Sequence, residues 1–91
     1  MLFVALYSIK PGYALSKSLQ QRTEWKPPEG TKIIAEYWLQ NNAPHVIAIF
    51  ETDNYASIMA ANSPWMDLFD IVVVPATTAE EGLKLASQMM P

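Results

Sequence analysis

The sequence predicts an α+β domain with the element order β-α-β-β-α-β-α, in which four strands form one antiparallel sheet. Three observations support this prediction. Four apolar segments rich in β-branched and aromatic residues are separated by turns that contain proline, glycine or asparagine. About four residues join the second and third strands, which is typical of an antiparallel hairpin. Helical segments with an apolar side fill the remaining connections.

The first predicted strand covers residues 2–9, and a proline–glycine pair ends it. It has no basic residue ahead of it and no small-residue cleavage site behind it, so we expect a buried strand rather than a signal peptide. The first helix covers residues 11–25, because proline suits a first turn. We expect Ser18 and Arg22 to face solvent. The apolar stripe of this helix is thin and consists of Tyr13, Ala14, Leu15 and Leu19.

The second predicted strand covers residues 31–40 and the third covers residues 45–52. Asparagines and a proline form the turn between them. Asp53 is a good N-cap for a second helix. The buried face of that helix is expected to contain Tyr55, Ile58 and Met59.

The last two elements are a strand over residues 71–74, closed by proline, and a helix over residues 78–90. Thr78 and Glu81 have the spacing of a capping box, which predicts where the helix begins. Its apolar residues are Leu83, Leu85, Ala86, Met89 and Met90.

The first six elements have the order of two split βαβ units, which is the ferredoxin-like arrangement. The first and third strands, with the most continuous apolar runs, would lie in the middle of the sheet. We therefore expect one domain over residues 1–91, with a core of residues 1–76 and an added helix over residues 78–90.

Apolar residues occupy both faces of the first, third and fourth strands, although an antiparallel sheet with one buried face alternates apolar with polar residues. Two helices cover only one face, and soluble monomers rarely expose an apolar patch of the size of the other face. The last helix, about 18 Å long, is too short to cover it alone. We therefore expect a homodimer through the open sheet face, with the last helix capping an edge or crossing to the partner.

Composition excludes several classes of function. The chain has no cysteine and one histidine, so thiol chemistry and a multi-histidine metal site are excluded, and no cofactor is expected. A net charge of −3 and a third strand without lysine or arginine argue against nucleic acid as a partner. No segment approaches the ~20 apolar residues of a membrane span. These features favour a cytoplasmic protein.

Several short segments occur in an order that resembles a known family: Met1-Leu2-Phe3, Lys10-Pro11-Gly12, Arg22, Pro28-Glu29-Gly30, Tyr37-Trp38, Trp65 and the run from Asp67 to Pro75. Over residues 1–81 they are similar to domain-of-unknown-function family 3303, within the dimeric α/β-barrel superfamily. The resemblance implies two ferredoxin-like sheets that face each other across a two-fold axis. It implies no reaction. The superfamily includes cofactor-free monooxygenases and haem proteins with a helical histidine ligand, whereas the histidine here begins a strand.

Five residues are candidates for a site. His45 is a general base or polar anchor at a pocket mouth, or a partly exposed histidine at a strand start. Glu36 is a desolvated acid or base, or a paired carboxylate on an edge strand. Tyr7, Trp38 and Trp65 are candidate walls for a planar ligand, although core and interface packing also accounts for such residues.

Two functions remain open at this point. In the first, the protein is a non-catalytic homodimer that binds a small apolar or aromatic molecule between the sheet and the helices. The alternative is a cofactor-independent enzyme that resembles a monooxygenase or an isomerase and acts on an aromatic substrate. His45 or Glu36 would then remove a proton from the substrate.

Overall fold

The computed structural model describes residues 1–12 and 15–90 and confirms the predicted order of elements. The strands are β1 (Leu2–Ile9), β2 (Lys32–Trp38), β3 (Val46–Glu51) and β4 (Phe69–Ala76). The helices are α1 (Leu15–Glu24), α2 (Tyr55–Asn62) and α3 (Ala79–Met89), with a 3-10 turn, Ser63–Trp65, after α2. The expected apolar contributions of Tyr13, Ala14 and the Leu15 side chain lie outside the described residues.

The four strands form one antiparallel sheet in the order β2-β3-β1-β4, so the fold is α+β and ferredoxin-like. As predicted, β1 and β3 are the central strands. Val4 of β1 is paired with Ile49 of β3 on one side and with Val74 of β4 on the other. Paired residues point to the same side of a sheet, so each such row lies on one face.

One face of the sheet is covered by α1, α2 and the 3-10 turn, and the core lies there. Alternate residues of each central strand point to this face, because side chains in a strand alternate between its two sides. Phe50 of β3 and Ile58 of α2 are the largest fully buried side chains. The other buried apolar residues of this core are Phe3, Ala5, Tyr7, Ala48, Trp65, Leu68 and Phe69.

The opposite face of the sheet carries apolar side chains that no described helix covers. Val72 and Val74 are 55% and 42% exposed, and Tyr37 is 58% exposed. We call this surface the open face. Its apolar residues are Leu2, Val4, Leu6, Ala35, Tyr37, Ile47, Ile49, Val72 and Val74, and the charged residues Lys32, Glu51 and Asp70 lie at its ends.

β4 is longer than the predicted strand over residues 71–74. It pairs with β1 along its whole length, from Phe69 opposite Ile9 to Ala76 opposite Leu2. Pro75 lies inside it, which the sheet tolerates because β4 is an edge strand and the missing N–H can face outward. Pro75 therefore does not end the strand, contrary to the prediction.

The N-cap of α2 is Asn54, so the expectation for Asp53 is wrong. The Asn54 side-chain oxygen accepts a hydrogen bond from the Ala56 N–H at 2.9 Å. Both residue types cap helices equally well, and the helix begins one residue later than the sequence indicates.

The buried side of α2 also differs from the prediction. Ile58 is buried, but Tyr55 and Met59 are half or more exposed. Ala61 and Asn62 are buried in their place. The apolar spacing alone does not show that a small residue and an asparagine take the buried positions.

α3 begins where the capping pattern predicts, since Thr78 Oγ1 accepts a hydrogen bond from the Glu81 N–H at 3.1 Å. None of its residues, all of which the structure describes, is buried. The chain extends over 53 × 29 × 16 Å. Its radius of gyration is 15.1 Å, whereas a compact chain of this length has a radius of gyration of about 12 Å. The helix therefore projects from the sheet layer. No described helix is long and apolar enough to cross a membrane.

Candidate functional site

All five candidate residues lie around one cavity between the covered face of the sheet and α1. The cavity has a volume of about 60 Å³ and opens to solvent. The candidates that line it are Tyr7, Glu36, Trp38, His45 and Trp65. Trp25 lines it as well, so every tryptophan of the chain lies at this cavity.

A β-bulge in β2 places Glu36 and Trp38 on the cavity side. The register against β3 shifts between Ile33 and Ala35, so that Ile33, Glu36 and Trp38 face the helices. Without the shift, Glu36 would share a side with Ile34, as strict alternation predicts. Ile34 is instead 46% exposed.

Glu36 is held by two neighbours at the cavity. Arg22 of α1 donates from Nε at 3.1 and 3.2 Å to the two carboxylate oxygens, and from Nη2 at 2.9 Å to Oε1. The Trp38 indole Nε1–H donates to Oε2 at 2.6 Å. The arrangement is a forked guanidinium–carboxylate pair, which fixes the orientation of both groups.

The charge state of Glu36 follows from these contacts. Burial alone would raise the pKa of its carboxyl, but the hydrogen bonds from Arg22 and Trp38 and the positive charge of Arg22 outweigh burial and lower it. The pKa of Arg22 is raised, mainly by its hydrogen bonds to Glu36. Glu36 is therefore a stabilised anion and a weak base.

Tyr7 forms the floor of the cavity and is 6% exposed. Its hydroxyl donates to Asn62 Oδ1 at 2.5 Å. Burial raises the pKa of the Tyr7 phenol well above its ordinary value, and the negative charge of Glu36 raises it further. The phenol therefore stays protonated at neutral pH.

His45 lies beside β3, with a half-buried ring at the cavity. The ring is stacked on Phe69, with centroids 6.3 Å apart and planes 10° apart. Its Nδ1 lies 3.0 Å from the carbonyl oxygen of Asn41. A carbonyl oxygen only accepts, so Nδ1 carries a proton in this contact. The backbone N–H of His45 donates to Tyr7 O at 2.6 Å, which fixes the residue against β1.

Three aromatic rings in edge or tilted contact form the remaining wall. Trp25 and Trp65 meet edge to face at 6.0 Å, and Trp65 is tilted against Phe69 at 6.1 Å. The Arg22 guanidinium lies over the Trp25 ring, 5.3 Å from its centroid. Such contacts hold ring orientations as well as burying area.

Arg22 and Ser18 are cavity residues that the sequence prediction treated as solvated. Ser18 is 6% exposed, whereas Leu19, which the sequence predicts on the apolar stripe, is 38% exposed. Positions 18, 22 and 25 have the spacing of one helix face. This spacing indicates that the three residues share one side of α1. An apolar pattern does not show that side, because Ser18 and Arg22 are polar.

A second concavity lies between α2 and the β4 edge, with a volume of about 370 Å³. Exposed Tyr55, Met59 and Met66 line it, together with the charged residues Lys10 and Asp70. None of the candidate residues lies there. Within residues 1–12 and 15–90, no group of three or more histidine, aspartate or glutamate side chains is placed to hold a metal ion.

Comparison with known proteins identifies the family of the chain. No match was found among curated proteins or among solved structures. One family model, described as a domain of unknown function, matches residues 1–90, which includes every residue of the cavity. The chain therefore belongs to the DUF3303 family.

Proposed function

We propose that the protein is a homodimer that binds a small apolar or aromatic molecule in the cavity between the sheet and the helices. The observation that carries this proposal is the composition of the cavity. All three tryptophans line it, and a single ion pair, Arg22 with Glu36, supplies its charged groups. Ligand pockets are typically apolar and aromatic walls with a few fixed polar groups.

The size of the cavity limits the ligand. A volume of about 60 Å³ is well below the ~150 Å³ of an engineered cavity that encloses benzene. The enclosed part therefore accommodates part of one ring, and the rest of the ligand would lie in the open mouth. Trp38 and Leu19 are partly exposed there, so their side chains can lie against it.

The polar groups of the cavity favour a neutral ligand. The positive charge of Arg22 is matched by Glu36, and the carboxylate oxygens already accept from Arg22 and Trp38. A charged ligand would have to break this pair or be buried without a partner, and both are costly. An uncharged ring with one hydroxyl or carbonyl group fits the site.

The same geometry favours binding over proton abstraction. Glu36 has a lowered pKa, and its oxygens are engaged by three N–H donors. Tyr7 is protonated and donates to Asn62. The cavity is also too small to enclose a bicyclic substrate. His45 is then the one candidate base left from the sequence analysis, and it has no acidic partner in the contacts described.

The homodimer, the dimeric α/β-barrel arrangement and the cytoplasmic location remain predictions. The exposed apolar rows of the open face support the first two, because a second sheet packed on them would remove them from water.

Titration with benzyl alcohol, a neutral single ring, tests the ligand proposal. Since all three tryptophans line the cavity, binding should change the intrinsic fluorescence in a saturable way. Ala48 is 3% exposed and lines the cavity, so a larger side chain at this position would occupy part of the cavity. Ala48→Val should weaken binding by about tenfold or more while circular dichroism stays unchanged.

Ala35→Val is the matched control, because Ala35 lies on the open face of β2, away from the cavity. It should leave the titration unchanged. Native mass spectrometry of the protein as purified adds a second readout, since a retained ligand gives extra mass. No saturable fluorescence change in the wild type, together with no retained mass, would contradict the ligand proposal.

A further inference from the structure

α3 and the open face are two apolar surfaces of the same chain, and neither is covered. The apolar side of α3 is continuous, because residues 82, 83, 85, 86, 89 and 90 fall on one side of a helix with 3.6 residues per turn. The other side carries Glu80, Glu81 and Lys84. Leu83 is 71% exposed and Met89 is 83% exposed. A helix this short gets most of its stability from packing its apolar side.

The protein's own sheet does not cover α3. β4 ends at Ala76 and Thr78 already caps the helix, so one residue, Thr77, lies between the two elements. The 53 Å length of the molecule is about twice the ~27 Å of an eight-residue strand, so α3 extends beyond the sheet. None of its residues is buried, whereas α1 and α2 both have buried residues. Its described ion pair, Lys84 with Glu81, is internal to the helix.

We propose that α3 crosses to a second copy of the chain and packs its apolar side on the partner's open face. This inference rests on the homodimer of the proposed function and assigns α3 a place in it.

The area that a stable dimer needs supports a second copy of the chain as the partner of α3. Four strands about 4.8 Å apart, with about six residues each, present roughly 400 Å² per protomer, or roughly 800 Å² for two facing sheets. Stable interfaces bury about 1,200–2,000 Å². An 11-residue helix about 16 Å long and 10 Å wide has a contact side of roughly 160 Å², so two crossing helices add roughly 300 Å² of their own surface. With α3 the interface comes to roughly 1,100 Å², near the lower end of the stable range, and without it the interface falls well short.

Charge argues against a membrane as the occupant. Helices that lie on anionic bilayers carry lysine and arginine on their polar side. The polar side of α3 has two glutamates and one lysine, within a chain of net charge −3. The uncharged central rows on the open face of a second copy fit this helix better.

Disulfide trapping tests the crossing, because the chain has no cysteine of its own. Ala86 lies near the middle of the apolar side of α3. Ala86→Cys would be combined in turn with Val4→Cys, Ile47→Cys or Val72→Cys on the open face. Three positions are used because the proposal does not specify where along the partner's strands α3 packs. After oxidation, at least one pair should give a covalent dimer of twice the 10.2 kDa chain mass on a non-reducing gel.

Lys84→Cys, on the opposite side of α3, is the matched control and should link at least tenfold less. Equal linking from Lys84 would overturn the proposal. A disulfide within one chain, seen as an oxidised monomer, would show that α3 folds back on its own sheet and would also overturn it.

A second variant makes the proposal independent of cysteine chemistry. Leu83→Glu should raise the dissociation constant of the dimer by about tenfold or more, whereas Gln88→Glu on the polar side should leave it unchanged. An unchanged dimer with Leu83→Glu would refute the role of α3 and leave the sheet-to-sheet dimer standing. A monomeric wild type would refute both, and flotation of that monomer with phosphatidylglycerol vesicles would identify a membrane as the occupant.

Discussion

The two faces of the sheet are built from alternate residues of the same strands, yet their chemistry differs. The covered face carries large aromatic rings, such as Phe50 and Tyr7, with one ion pair, Arg22 with Glu36. The open face is mostly aliphatic, and its central rows, such as Val4 with Ile49, hold no charge. Rings and fixed polar groups suit a cavity with defined contacts, whereas rows of β-branched side chains suit packing against another flat surface.

The comparison indicates how one short chain could separate packing from assembly. The helices of the same chain complete the covered face, so its packing belongs to the protomer. The described residues provide no such cover for the open face, and in the proposed dimer a second copy of the chain would bury it. Substitutions on the first face should therefore change the stability of the protomer, and substitutions on the second should change assembly.

Phe50→Ala should give the largest effect, because Phe50 is 2% exposed in the middle of the covered face. We expect the free energy of unfolding to fall by about 3–5 kcal/mol, measured by urea denaturation. Phe50→Leu, expected to cost less, keeps the measurement possible if the alanine variant does not fold. The adjacent Ile49→Ala, on the open face, should instead make the unfolding midpoint more dependent on protein concentration. Equal effects of Phe50→Ala and Ile49→Ala at every concentration would contradict the division of tasks.

Val4→Asp should give the next effect, on assembly. It places a carboxylate in a central strand of the open face, and the proposed two-fold axis would place it twice in the interface. We expect the dissociation constant of the dimer to rise about 100-fold, which corresponds to about 3 kcal/mol, as measured by light scattering. Gln20→Asp, on the exposed side of α1, is the control and should leave the dimer intact. A Val4→Asp dimer as tight as the wild type would mean that the open face is not the interface.

Glu36→Gln tests the ion pair of the covered face. The pKa of Glu36 is lowered in the folded state, so its stabilisation is fully present above the unfolded carboxyl value of about 4.3 and is lost as pH falls through the folded value. After discounting for solvent exposure, we expect the variant to be about 1 kcal/mol less stable at pH 7. This difference in the free energy of unfolding should disappear at about pH 2. Glu29→Gln, at an exposed loop position, should not change stability at pH 7, and a pH-independent deficit in Glu36→Gln would argue against this account.

Trp38→Phe should give the smallest effect, since it removes the indole donor to Glu36 and keeps an aromatic ring in the mouth of the cavity. We expect a loss of about 0.5 kcal/mol in thermal or urea unfolding. The control is Tyr37→Phe, which removes a hydroxyl from the other side of the same strand. A larger loss from Tyr37→Phe than from Trp38→Phe would place the more important polar contact on the open face.

The order and type of the elements could be predicted because strands and helices have different apolar spacings and because proline, glycine and asparagine mark the turns. The central position of β1 and β3 followed from their unbroken apolar runs. The sequence indicates Asp53 rather than Asn54 as the N-cap of α2, because two capping residues are adjacent and only tertiary packing distinguishes them.

The candidate site could be predicted only in part. The aromatic candidates followed from residue type, but the contact between Glu36 and Arg22 did not, for two reasons. A bulge changes which residues of β2 face the helices, and nothing in the apolar pattern marks it. Arg22 also lies in a mostly polar helix, where a charged residue is expected in solvent. Long-range pairs of this kind depend on the relative placement of two elements, which local patterns do not contain.

Sedimentation equilibrium of the wild-type protein at micromolar concentration tests the central claim most directly, because a second copy is proposed to cover the open face. The account predicts a single species of twice the 10.2 kDa chain mass. A species of 10.2 kDa, unchanged as the protein concentration rises, would contradict it.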